Sequence, residues 1–170
     1  MTLKKYFPIA VFIGVQAAAL QALDQAICAG FVISAGGGWI AFQAWAMYFL
    51  AGCNIKGGIK ALIGYVLGMV ASIAIFMLGG NLGALGFWCM PVTLVILVPI
   101  ILYLDQAPDY FNMVPAVFVG AGAFFGIMSY VPGAAYGSAF TGELVYCILG
   151  LICGWMTVTF RGWYEGKYVN

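Results

Sequence analysis

The chain has 170 residues, of which 65% are hydrophobic and only 6% charged, against roughly 25% charged in a soluble domain. So few charges cannot coat a soluble fold, and a net charge of +1 provides no field to draw nucleic acid or an acidic partner. The chain therefore reads as all-α, a polytopic membrane bundle forming a single transmembrane domain over 1–170, with membrane lipid as its first partner and no nucleic acid.

There is no histidine, which removes the usual proton switch near neutral pH and the commonest metal ligand. No Ser-His, Cys-His or metal-ligand pattern is present in the sequence. No enzyme, catalytic residue, metal or cofactor is therefore expected. Cys28, Cys53, Cys89, Cys147 and Cys153 form no CxxC pair and read as small buried hydrophobes.

A hydrocarbon core of about 30 Å takes roughly 20 helical residues per crossing. Six spans are expected at about 7–34, 39–53, 59–78, 84–104, 113–130 and 141–160. Lys4 and Lys5 before an apolar run resemble a signal peptide. Gln16 and Gln21 interrupt that run, however, and keeping it gives an even span count. In span one, Ala17, Gln21, Asp24 and Cys28 share a helical stripe bordered by Gln25. Asp24 stands out as the carboxylate set deep in a span, where it costs about 3 kcal/mol on insertion scales.

Gly36, Gly37 and Gly38 read as a turn. Span two is short and carries Gln43 one turn in. Residues 54–58 and 79–83 read as further turns. Span three holds Gly64 and Gly68, span five Gly122 and Gly126, and span six Gly150 and Gly154. Each pair is a GxxxG pattern that lets helix backbones touch, and the three together predict tight packing or self-association into a homo-oligomer. Pro91 and Pro99 lie in span four, where each removes a backbone donor. Glu143 stands near the start of span six, close to the outer surface.

The basic residues Lys4, Lys5, Lys56, Lys60, Arg161 and Lys167 all fall on one side of a six-span threading. By the positive-inside rule, both termini are cytoplasmic. Spans two-three and five-six also look alike, with Ala41-Phe42 through Tyr48-Phe49 matching Val117-Phe118 through Phe124-Phe125. Two three-span halves have opposite orientations, so an inverted repeat is expected, as in many transporters and channels.

Several short blocks carry a family resemblance: Trp39-Ile40-Ala41-Phe42 with Tyr48-Phe49, Gly57-Gly58-Ile59-Lys60 with Ala61-Leu62, residues 115–121, and Leu149-Gly150-Leu151-Ile152 with Gly154. Through them the chain resembles the YcdZ-type family of small bacterial inner-membrane proteins of unknown function. The resemblance implies an inner-membrane location and no catalytic or binding residue. Asp24 and Glu143 stand outside those blocks. A looser architectural analogy, without a shared motif, links the chain to the acid-gated urea and amide channel family of compact six-span proteins.

The leading expectation is a channel or facilitator for a small, mostly uncharged solute. Asp24, Gln21, Gln25, Gln43 and Glu143 are the candidate pathway or coupling residues. Trp45, Tyr48, Phe124 and Phe125 are candidates for a constriction. The alternatives are a small proton- or sodium-coupled secondary transporter using Asp24, and a non-transporting accessory membrane subunit.

Overall fold

The computed structural model describes residues 3–30, 33 and 36–169. Among them are six α-helices joined by loops and short 3₁₀ turns: α1 (Leu3–Ile27), α2 (Gly38–Leu50), α3 (Ile55–Asn81), α4 (Cys89–Leu102), α5 (Val114–Tyr130) and α6 (Tyr136–Tyr168). The described residues contain no strand. The expected end of span one, at Ser34, lies outside the described residues.

Four helical stretches are long and apolar enough to cross a membrane: Leu3–Ile27, Ile55–Asn81, Gly83–Gln106 and Tyr136–Tyr168. Helix α5, with 17 residues, is near the lower limit for a crossing. Helix α2, with 13 residues, rises only about 20 Å and falls short of a hydrocarbon core of about 30 Å. The stretch before α4 bends at Gly86, whose φ of +53° is a conformation open to glycine. Pro99 lies inside α4, whereas Pro91 stands in its first turn, where the missing N–H has no helical partner to lose.

The glycines expected as turns at 54–58 belong to a helix. Asn54 caps α3 by accepting the Gly57 N–H at 2.8 Å, which satisfies one orphan donor of the first turn. A Cβ at Gly57 would run into the Ala51 carbonyl, and one at Gly58 into the Tyr48 ring. These glycines let the end of α2 lie on the start of α3. Gly79 and Gly80 likewise remain within α3.

Two helix pairs form the centre of the bundle: α3 lies on α5, and α6 lies on α2. Small residues allow both crossings. A Cβ at Gly68 would strike the Val117 carbonyl and Gly120; one at Gly64 would strike Ala116. A Cβ at Gly150 would strike the Ala41 carbonyl and Ala44; one at Gly154 would strike Tyr48. Ser72 Oγ also donates to the Ala121 carbonyl at 3.2 Å, tying α3 to α5. The buried core runs along these seams through Ile40, Ala41, Ala44, Tyr65, Phe124 and Tyr146. Gly122 and Gly126 take no part in a close crossing. A Cβ at Gly122 would meet nothing within 4 Å, and one at Gly126 only the edge of the Trp39 ring.

At one end of the bundle Lys56 and Lys60, in the first turns of α3, both reach Asp109 in the α4–α5 loop. These ion pairs hold the α2–α3 and α4–α5 connections side by side.

Candidate functional site

Asp24 lies in the last turn of α1, three residues before Ile27. It is 4% exposed and its carboxylate is fully engaged. Oδ1 accepts the Gly37 N–H at 2.9 Å and the Tyr146 hydroxyl at 2.6 Å. Oδ2 accepts from Gln21 Nε2 at 3.3 Å. Gly37 is the N-cap of α2, so the carboxylate closes the positive end of that helix. The three glycines make this approach possible. A Cβ at Gly36 would fall 2.8 Å from Asp24 Oδ2, one at Gly38 3.1 Å from it, and one at Gly37 inside the Tyr146 ring. Gly36 also has a φ of +99°, which favours glycine.

A second polar rung joins α1 to α6 further along. Gln16, 7% exposed, donates from Nε2 to the Cys153 carbonyl at 3.2 Å. Its Oε1 lies 2.8 Å from Thr157 Oγ1, which accepts the Trp45 indole N–H at 3.1 Å. Thr157 is also on the wall of a cleft of about 500 Å³, lined by Tyr6, Ile13, Phe49 and Arg161 among others. That cleft lies between the first turns of α1 and the last turns of α6.

The third feature is Glu143. The sequence placed it near the outer surface, but it is fully buried, at 0% exposure. The reason is that α6 begins at Tyr136, five residues before the expected start, so Glu143 is two turns inside the helix. Asp24 is therefore not the sole carboxylate set deep in the bundle. Among the described residues, neither Glu143 oxygen has a hydrogen-bond partner, and neither has the equally buried Tyr65 hydroxyl. Tyr65 on α3 and Cys147, one turn further along α6, are likewise fully buried.

The structure thus brings together Asp24 and Gln21, while Gln25 and Gln43 point outward from the bundle. Trp45, Tyr48 and Phe124 are buried in the core and Phe125 is half-buried. Tyr146, Tyr65 and Thr157 escaped the sequence reading. The tyrosines carry a usable signal, since each puts a polar tip into an apolar helix where a partner is needed. Tyr65 lies between Gly64 and Gly68 and was hidden by the GxxxG pattern. The cysteines are all free; Cys147 is buried, but Cys53 is exposed at the α2–α3 turn.

No curated protein and no solved structure matches the chain. The model of a family described as a protein of unknown function, DUF1097, matches residues 14–166. That match covers all three polar features and nearly the whole bundle, and the chain belongs to this uncharacterised family.

Proposed function

We propose that the chain is a bacterial inner-membrane facilitator for a small, mostly uncharged solute, built as six spans in two inverted three-helix halves with both termini in the cytoplasm, the short α2 completing its crossing with the turns at its two ends. The observation that carries this reading is the pairing of the helices. Exchanging α2 with α5 and α3 with α6 turns the α3–α5 contact into the α6–α2 contact, and the α3–α4 contact into the α6–α1 contact. The match extends to residues. Gly68 over Val117 and Gly120 has its counterpart in Gly150 over Ala41 and Ala44. The correspondence runs from Gly68 to Gly150, one helical turn away from the alignment of Gly64 with Gly150 that the motif alone suggests. Pathways in such folds follow the interface of the repeats.

Trp45, Tyr48 and Phe124 are packed in the core, which favours a path that opens by movement of one half against the other over a standing pore. The cleft ending at Thr157 would be its cytoplasmic mouth. Asp24, already holding Gly37, Tyr146 and Gln21, suits a clamp on α2 better than a coupling site. The analogy with six-span urea and amide channels chooses the solutes to try. The test is stopped-flow light scattering on proteoliposomes challenged with water, urea, acetamide, glycerol and short-chain acids. Selective shrink-swell kinetics above empty liposomes are expected. Folded protein that speeds none of them would overturn the facilitator and favour an accessory subunit.

A second reading, ion-coupled transport, is favoured by one observation: a buried carboxyl without a partner at Glu143.

A further inference from the structure

Glu143 is fully buried, and neither of its oxygens has a hydrogen-bond partner among the described residues. A carboxylate in an apolar interior with no hydrogen bond and no counter-charge loses its hydration and receives nothing in return. Three species can relieve that cost: a proton, a cation or a bound polar molecule. The groups around it decide between them. On α6 itself Tyr146 and Cys147 stand three and four residues on, Tyr146 already bonded to Asp24, and α3 contributes the buried Tyr65 hydroxyl. From α1 comes Asp24, but it is engaged by Tyr146, Gly37 and Gln21. Helix α2 contributes only Tyr48 among titratable groups, and α5 only Tyr130 at its exposed end. Lys56 and Lys60 of α3 are committed to Asp109. Among the described residues no basic side chain pairs with Glu143. With no hydrogen-bonding group at Glu143 among the described residues, only its own two carboxyl oxygens are on offer, whereas hard cations take about six oxygens. A proton needs one.

We propose that Glu143 is the proton carrier of this protein: it holds a proton in the closed state described here and exchanges it with water when α6 and α3 part. The step is Glu143-COOH plus water giving Glu143-COO⁻ plus hydronium on the open side, and the reverse on the other. No other reactant is required. This deepens the transport reading above, rests on it for the solute, and moves the coupling role from Asp24 to Glu143.

The test reads the proton directly. Full-length protein in lipid at neutral pH is followed by infrared difference spectroscopy during exchange from H₂O to D₂O. A carboxylic-acid C=O band is expected that shifts as deuterium enters. It should be absent from Glu143→Gln and kept in Asp24→Asn. The chain has just two glutamates, Glu143 and Glu165, and Glu165 is ion-paired to Arg161. Labelling glutamate with ¹³C in the wild type therefore assigns the band even if the variant does not fold.

In parallel, proteoliposomes loaded with a pH-sensitive dye report whether a solute gradient drives protons inward, a movement expected to be lost in Glu143→Gln. Absence of a Glu143 acid band, a band that never exchanges, or a band that disappears when sodium is raised at fixed pH overturns the proposal. Solute flux with no exchangeable Glu143 proton keeps the facilitator and rejects the carrier. An exchanging Glu143 proton with no flux of any tested solute keeps the carrier and rejects the facilitator as stated.

Discussion

The Tyr146 hydroxyl donates to Asp24 Oδ1 over 2.6 Å, and the same oxygen receives the Gly37 N–H that begins α2. One carboxylate thus fastens three helices: α1, which carries it, α2, whose positive end it faces, and α6, which supplies the phenol. A hydrogen bond to a charged group contributes about 1.5–3 kcal/mol when one partner is removed. Tyr146→Phe should therefore lower stability by about that amount, read as a shifted midpoint in detergent unfolding. Asp24→Asn keeps one acceptor oxygen for Tyr146 and Gly37 but loses the charge, and its NH₂ group meets the Gln21 donor in place of Oδ2, so it should cost at least as much, about 1.5–3 kcal/mol. Equal midpoints for Tyr146→Phe and the wild type would show that the clamp carries no load.

The glycines divide into two classes, and alanine substitution tells them apart. At Gly150 a methyl group would run into the Ala41 backbone carbonyl, which cannot withdraw without moving α2. Overpacking of this kind costs about 1–3 kcal/mol. At Gly122 a methyl group meets open space and the helix gains about 0.5–1 kcal/mol in propensity. Gly150→Ala should therefore destabilise the single protomer, while Gly122→Ala is neutral or stabilising. Loss of an oligomer with an undisturbed protomer in Gly150→Ala would contradict this, because Gly150 and Gly154 are occupied inside the chain.

How much of this was legible in the sequence depends on the range of the signal. Apolar runs mark the helices, and spacing marks Gly64, Gly68, Gly150 and Gly154 as small faces, since both are local properties. Periodicity does not say which neighbour uses a face, so Gly122 and Gly126 carry the same motif without a close crossing. The Asp24–Gln21 pair spans one helical turn and is readable. The Asp24–Tyr146 bond joins residues 122 apart, and nothing local predicts it. Glu143 was misplaced because the helix start was set at Thr141 instead of Tyr136, and two turns of depth change a surface carboxyl into a buried one.

The Asp109 ion pairs predict an acid limb in stability. Hydrogen bonds from Lys56 and then Lys60 hold the Asp109 carboxyl down at about 2, below its ordinary 3.8. A carboxyl depressed by folding stabilises the fold above its unfolded value and loses that contribution as pH falls through its folded value. The difference in midpoint between wild type and Asp109→Asn should therefore be constant above about pH 4 and vanish towards pH 2. High salt should shrink it as well, because these groups are exposed and screened. A difference that persists unchanged to pH 2 would mean that Asp109 acts through loop shape and not through charge.

The same ion pairs make a prediction about threading. Lys56 and Asp109 meet at one end of the bundle, and α5 and then α6 follow Asp109 in the chain. If α5 crosses the membrane despite its 17 residues, then Ser138 must lie on the side opposite Asp109. Helix α6, with 33 residues and a rise of about 50 Å, then returns the chain to the first side. On a cysteine-free background, Ala107→Cys and Gly162→Cys should react with a membrane-impermeant thiol reagent from the cytoplasmic side alone. Ser138→Cys should react from the outside alone. Labelling of positions 107 and 138 from the same side would make α5 a re-entrant helix. Two oppositely oriented halves would then be impossible, because the second half would cross the membrane an even number of times.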